Sequence, residues 1–141
     1  MHEPVRGSEL PAVPALAYLG DAEYTVHVRR MLIERGVERA GELNRLSLLY
    51  VTAERQAAAM RCLEPQLSED EHDVFRRAKN STHLNRPKHA SPMDYRYATG
   101  FEAVLGMLSY IGDRERLLKL MRAATDMPPD TEETNRKDTT I

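Results

Sequence analysis

The feature that most constrains the fold is a glycine followed by an acid, Gly20 and Asp21, inside a strongly helical stretch. A glycine costs about 1 kcal/mol relative to alanine in a helix interior, so its presence there needs a reason. A second acid, Glu102, has a similar setting later in the chain, two positions after Gly100. Because small residues flank both acids, we predict that two helices approach closely and bring Asp21 and Glu102 together.

The periodicity of apolar residues predicts an all-α domain of about five main helices. The predicted helices span residues 14–35, 44–64, 69–80, 93–111 and 114–125. Ser68 and Glu71 form a capping-box pattern at the start of the third helix. Residues 81–93 are predicted to be a loop, because they contain two prolines and no periodicity. The domain is expected over 14–125, between a flexible segment at 1–13 and a disordered tail at 126–141.

Two adjacent apolar stripes run along the first predicted helix. The first stripe consists of Leu16, Leu19, Val26 and Ile33. The second stripe consists of Ala17, Tyr24, Val28 and Met31. Asp21 lies on the second stripe, so we expect its side chain to face the core or a cleft rather than open solvent.

Composition and charge indicate a reducing compartment and an anionic partner. The single cysteine, Cys62, cannot form an internal disulfide, so we expect a cytoplasmic protein. No apolar stretch approaches the ~20 residues needed to span a membrane, and no membrane association is expected. The net charge is −2, yet residues 74–97 contain six Arg or Lys against one acid. This basic stretch favours contacts with phosphates.

The pair of acids predicts a metal site. Two carboxylates brought together in a poorly solvated place repel each other unless a proton or a cation joins them. Oxygen ligands completed by water are typical of Mg²⁺, with Mn²⁺ as an alternative. Taken singly, Asp21 can be a buried acid held by a structural hydrogen bond, and Glu102 can be a salt-bridge partner. The basic stretch can likewise be a solvated face with no ligand.

Two stretches resemble the motifs of the ribonuclease III family. Ala17-Tyr18-Leu19-Gly20-Asp21-Ala22, followed by Tyr24, resembles the signature helix of that family. The stretch from Tyr95 to Gly106 resembles its second acidic motif. Phe75-Arg76-Arg77-Ala78-Lys79-Asn80 is similar to a basic segment of the Mini-ribonuclease III branch, which lacks a double-stranded-RNA-binding domain. The likeness runs from about residue 14 to 125.

This resemblance implies an all-helical homodimer that cuts double-stranded RNA with Mg²⁺ and leaves 5′-phosphate and 3′-hydroxyl ends. For the Mini branch it implies maturation of the large-subunit (23S) ribosomal RNA precursor. Asp21 and Glu102 match the metal-binding, catalytic acids, and Thr99 is expected to orient a metal-bound water. The expected phosphate contacts are Arg76, Arg77, Lys79, Arg86 and Lys88.

The sequence also departs from the pattern of the full-length enzymes. Pro14, Ala17 and Thr99 stand where those enzymes carry further acids, which leaves two carboxylates per subunit. Glu23 occupies a position that is usually apolar, and it can either pair with an arginine across the dimer seam or weaken that seam. The missing acids favour a rival hypothesis, a non-catalytic RNA-binding or ribosome-associated module that kept the fold and lost the chemistry.

Overall fold

The computed structural model describes residues 10–81 and 90–127. Within these two ranges the chain forms six α-helices and no strand, which confirms the all-α prediction. In chain order the helices are α1 (Val13–Glu34), α2 (Ala40–Val51), α3 (Ala53–Leu63), α4 (Glu69–Lys79), α5 (Pro92–Ile111) and α6 (Arg114–Asp126). A short 3₁₀ segment, Glu64–Gln66, joins α3 to α4.

Helices α1 and α5 cross at a pair of glycines in the centre of the fold. A Cβ atom on Gly20 would lie 1.7 Å from the carbonyl oxygen of Glu102. A Cβ atom on Gly106 would lie 1.7 Å from the carbonyl oxygen of Leu16. Real Cβ atoms do not approach other atoms this closely, so neither position accepts a side chain unless the backbones separate. The crossing explains the mid-helix glycine and places the turn that carries Asp21 against Glu102.

One hydrophobic core surrounds this crossing. Tyr24 of α1 packs edge-to-face on Phe101 of α5 with ring centroids 5.0 Å apart, a favoured geometry for aromatic pairs. Helix α3 adds Met60, α4 adds Phe75 and α6 adds Leu117, and all five side chains are fully buried. The core therefore draws on all six helices, and the only buried residue that α2 adds to it is Tyr50.

An ion pair ties α4 to α6. The Arg116 guanidinium donates to both carboxylate oxygens of Glu71, at 2.9 and 2.8 Å. Glu71 also accepts a hydrogen bond from the backbone N–H of Ser68, which confirms the predicted capping box. Burial raises the pKa of Glu71, but the bonds from Arg116 and Ser68 outweigh it and hold that pKa below its usual value. Loss of Arg116 would leave the buried carboxylate of Glu71 without its charge partner.

The predicted helix 44–64 is wrong, because the chain breaks it into α2 and α3. Thr52 has an extended backbone (φ −66°, ψ 155°), and its hydroxyl accepts the N–H of Arg55 at 3.3 Å as an N-cap. In a continuous helix that N–H would donate to the carbonyl of Val51. The extended backbone of Thr52 therefore ends α2, and its side chain caps the start of α3.

The outer face of α1 is more exposed than its apolar stripe predicted. Val26 and Ile33 are 59 % and 57 % exposed, and Leu48 of α2 is 58 % exposed, although all three fit a helical apolar spacing. Periodicity identifies an apolar face but does not say whether the same chain covers it. On the second stripe Ala17, Tyr24 and Val28 are buried and Met31 is half-buried, whereas Asp21 is exposed at the edge of a cleft.

Parts of three predicted segments lie outside the described residues. They are most of the flexible start, the centre of the loop 81–93 and nearly all of the tail, at residues 1–9, 82–89 and 128–141. At the described edges, α1 starts at Val13, α5 starts at Pro92 and α6 continues to Asp126. None of the helices in the described ranges is long and apolar enough to cross a membrane.

Candidate active site

Asp21 and Glu102 meet in a cleft beside the crossing of α1 and α5. Their carboxyl groups lie close to each other, with Asp21 exposed and Glu102 partly buried. The cleft has a volume of about 310 Å³. Its lining residues are Pro14, Ala17, Tyr18, Asp21, Tyr95, Thr99 and Glu102. The structure thus brings together the two acids that the sequence pattern paired.

The environment of Glu102 strongly disfavours its charged form. Burial is the main cause, and the hydrogen bond and negative charge of Asp21 add to it, so the pKa of Glu102 rises to about 8. The nearby amide of Gln56 opposes the rise but does not cancel it. At neutral pH Glu102 therefore stays mainly protonated in the metal-free protein.

A divalent cation fits this pair in place of the proton. The described residues contain no group of three or more His, Cys, Asp or Glu side chains that could hold a metal, so the site offers two carboxylates. Mg²⁺ is commonly held by one or two carboxylates and keeps several waters. The other polar side chains of the cleft, Tyr18, Tyr95 and Thr99, also present oxygen atoms.

Thr99, the expected water-orienting residue, lies in the cleft wall. It is buried, one turn after Tyr95 on α5, and both residues line the cleft. Burial raises the pKa of Tyr95, the nearby Thr99 hydroxyl opposes this, and the charge of Glu102 adds to the rise. Thr99 therefore lies close to a cleft tyrosine and to the second acid.

Gln56 is a site residue that the sequence reasoning missed. It lies on α3, is only 3 % exposed, and its amide is close enough to Glu102 to lower the pKa of that acid. The available signal was its spacing, because it stands four residues before Met60 and seven before Leu63, both in the core. A glutamine at a core position on a helix needs polar surroundings, and here the carbonyl of Val51 and the nearby acid supply them.

The expected phosphate contacts cluster at the end of α4. Arg76 and Arg77 are exposed and share one carboxylate, Asp73, at 3.4 and 3.3 Å. Lys79 is partly buried, with its ammonium 5.5 Å from the ring centroid of Phe75. The other two expected contacts, Arg86 and Lys88, lie outside the described residues.

A further arginine joins this basic surface from α3. Arg61 is exposed, pairs with Asp94 at 2.9 Å, and lies 4.7 Å from the ring centroid of Tyr97. Lys79 approaches the same ring at 5.3 Å, so two cations flank one tyrosine. The basic stretch 74–97 did not include Arg61, because only the packing of α3 against α5 brings it there.

Glu23 pairs inside its own chain. Its carboxylate accepts a hydrogen bond from Ser109 at 2.6 Å and forms an ion pair with Arg114 at the start of α6. The bond from Arg114 is the main cause that lowers the pKa of Glu23, burial opposes it, and the Ser109 bond adds to the lowering. The departure from an apolar residue at this position is therefore matched by two polar partners within one subunit.

Comparison with known proteins defines the class to which this fold and site belong. The family model that describes the ribonuclease III domain matches residues 14–113, which is most of the chain. The chain therefore belongs to the ribonuclease III family, and it is an endoribonuclease. This finding confirms the family that the two acidic motifs indicated.

Individual relatives narrow the class further. The chain is 48 % identical over 111 residues to the Mini-ribonuclease 3 of Symbiobacterium thermophilum, which covers 79 % of this chain and 85 % of that protein. It is 38 % identical over 109 residues to the Mini-ribonuclease 3 of Brevibacillus brevis, covering 77 % and 81 % of the two chains. A crystal structure of a protein from Fusobacterium nucleatum shares the fold, with a TM-score of 0.76, 24 % identity, and 84 % and 91 % of the chains covered.

Proposed function

We propose that this endoribonuclease cuts double-stranded RNA with Mg²⁺ and matures the precursor of the large-subunit (23S) ribosomal RNA in the cytoplasm. The observation that carries the proposal is the close pair of acids, Asp21 and Glu102, in an accessible cleft. A buried acid beside a second acid is costly in the metal-free protein, and a divalent cation relieves that cost. The family and the Mini-ribonuclease 3 relatives support the same reaction.

Asp21 and Glu102 are the residues that would hold Mg²⁺. When bound, Mg²⁺ lowers the pKa of water and stabilises negative charge on a phosphodiester, which is the chemistry that hydrolysis needs. Glu102 would release its proton to solvent on binding the ion, and Asp21 would offer carboxylate oxygens at the exposed side of the cleft. The hydroxyl groups of Thr99 and Tyr95 lie in the same cleft as the two acids and are suited to orient the attacking water. The products carry 5′-phosphate and 3′-hydroxyl ends.

The basic residues are proposed to bind the RNA backbone. Arg76, Arg77 and Lys79 lie at the end of α4, where the chain enters the stretch that contains Arg86 and Lys88. Contacts of this kind carry no sequence information and suit recognition of a duplex by shape. Binding should therefore weaken steeply as the salt concentration rises.

A homodimer is proposed to form across the outer face of α1. Tyr18 is 83 % exposed beside the cleft, and Val26 and Ile33 continue the same helix face with more than half of their surface exposed. A second copy would cover these side chains and set two clefts against the two strands of a duplex. Sedimentation should give a dimer for the wild type and a monomer for a Val26→Asp, Ile33→Asp variant, and a monomeric wild type would contradict this arrangement.

A cleavage assay tests the proposal. A precursor-like RNA duplex is incubated with the wild type, Asp21→Asn and Glu102→Gln, in Mg²⁺ and in chelator. We expect cleavage only by the wild type in Mg²⁺, with 5′-phosphate ends on the products. Cleavage that survives either substitution would refute the site.

The same assay separates the enzyme from a non-catalytic module. Pro14 and Ala17 line the cleft where full-length enzymes carry further acids, and this favours the rival. Duplex binding without cleavage in every tube, including the wild type in Mg²⁺, would support the module and contradict the enzyme.

A further inference from the structure

Gln56 links the break between α2 and α3 to the acid pair. Its amide nitrogen donates to the carbonyl of Val51 at 3.0 Å, and the same side chain lies close enough to Glu102 to lower the pKa of that acid. A carbonyl only accepts hydrogen bonds, so the NH₂ group of the amide must face Val51. The second N–H of the same group is then free to face the Glu102 carboxylate.

The break in the helix creates the acceptor that Gln56 uses. The N–H of Arg55 donates to the hydroxyl of Thr52, so the carbonyl of Val51 has no backbone donor from the next turn. Gln56 lies one residue beyond Arg55 and supplies the missing donor from its side chain. The end of α2 thereby fixes the amide, and the fixed amide orients the acid.

Packing alone does not account for a glutamine at this position. Its carbonyl oxygen, Oε1, is buried and has no hydrogen-bond partner among the described residues. An unsatisfied buried acceptor destabilises a fold, and a methionine of similar volume would avoid it. The amide is therefore better explained by what its nitrogen does for Glu102 than by its contribution to the core.

We propose that Gln56 is a positioning residue, which holds the Glu102 carboxylate in the orientation that binds the divalent cation. This inference rests on the proposed function of Asp21 and Glu102. Gln56 itself does not contact the cation. It restricts the rotation of the acid about its side-chain bonds, so that the carboxylate is already oriented when the cation arrives.

Mn²⁺ binding to the RNA-free protein tests the inference. Titration followed by electron paramagnetic resonance gives the affinity of the wild type and of Gln56→Met, which keeps the volume and removes the amide. Loss of a residue that orients a ligand commonly weakens metal binding 10- to 100-fold, and we expect a weakening of about that size. Duplex binding in chelator should not change. If Gln56→Met bound Mn²⁺ within twofold of the wild type, the inference would be overturned.

Two comparisons separate positioning from a general loss of packing. Thr125→Val removes a buried hydroxyl that donates to the carbonyl of Met121 on α6, away from the cleft, and should leave Mn²⁺ affinity within twofold of the wild type. Adding Gln56→Met to Glu102→Gln should cause no further loss, because Gln56 acts only through the acid. Losses that multiply in that double variant would contradict positioning.

The outcomes also distinguish this inference from the proposed function. If Asp21→Asn binds Mn²⁺ as tightly as the wild type, the acid pair is not the metal site, and the proposed function and this inference both fall. If Asp21→Asn has a weakened affinity for Mn²⁺ and Gln56→Met does not, only the proposed role of Gln56 is refuted. Should Gln56→Met not fold, Gln56→Asn replaces it, since its shorter side chain keeps the amide but cannot span from Val51 to Glu102.

Discussion

Replacing the buried acid should stabilise the metal-free protein at high pH while abolishing its activity. Glu102→Gln keeps the size of the side chain and removes the group whose ionisation the fold opposes. Because Glu102 binds its proton more tightly in the folded state, its stabilising contribution is fully present below the unfolded pKa. That contribution is lost as the pH rises through the folded pKa.

The size of this effect follows from the shift in pKa. A rise from 4.5 to about 8 corresponds, at 1.36 kcal/mol per unit, to at most about 5 kcal/mol of unfolding free energy. The wild type loses it between about pH 4.5 and pH 8, and the variant does not. The lowered pKa values of Glu23 and Glu71 affect both proteins equally, so they cancel in the difference.

Urea denaturation in chelator at pH 5, 7 and 9 measures the difference. The stability gap in favour of Glu102→Gln should widen by roughly 2–5 kcal/mol from pH 5 to pH 9. Saturating Mg²⁺ should then stabilise only the wild type, because only its site binds the ion. The exposed Glu115→Gln is the control and should follow the wild type. If the unfolding free energies of the wild type and Glu102→Gln changed in parallel with pH, the raised pKa of Glu102 would be refuted.

Four further substitutions test the fold and the basic surface. Gly20→Ala should lower the unfolding free energy by more than ~3 kcal/mol in urea and reduce cleavage, because the methyl group would lie 1.7 Å from a backbone oxygen of α5. Gly41→Ala, which meets nothing within 4 Å, should be neutral or stabilise by up to ~1 kcal/mol. Arg116→Met leaves the buried carboxylate of Glu71 without its charge partner and should lower the unfolding free energy by about 3–5 kcal/mol in urea. A loss under ~1 kcal/mol would contradict that pairing. Arg77→Ala should change stability by less than ~0.5 kcal/mol, yet weaken duplex binding and reduce the slope of log affinity against log salt by about 1, whereas an unchanged slope would exclude a phosphate contact.

The central crossing could be predicted from the sequence because its signals are local and unusual. A glycine and an acid inside an apolar helix, repeated later in the chain, are hard to explain unless the helices approach closely. The structure has that approach at Gly20 and Gly106, and it brings Asp21 and Glu102 into one cleft. The metal-binding role of the two acids stays a prediction.

Other features depend on a single side-chain cap or on contacts between distant segments, and they could not be predicted from periodicity. The break at Thr52 rests on one side-chain cap, and a threonine fits a helix interior equally well by pattern. Gln56 becomes a site residue only because α3 packs on α5 at the level of Glu102. Val26 shows that periodicity can also overestimate burial within one chain. An apolar stripe does not indicate whether the residues that cover it belong to the same chain.

The most direct test of the central claim is single-turnover cleavage of an RNA duplex in Mg²⁺ by Asp21→Asn, Glu102→Gln and the double variant. If the two acids hold one ion as a unit, each single substitution should slow cleavage by roughly a thousandfold or more, and the double variant should be no slower than either. A single variant that keeps more than a tenth of the wild-type rate, or losses that multiply in the double variant, would contradict the account.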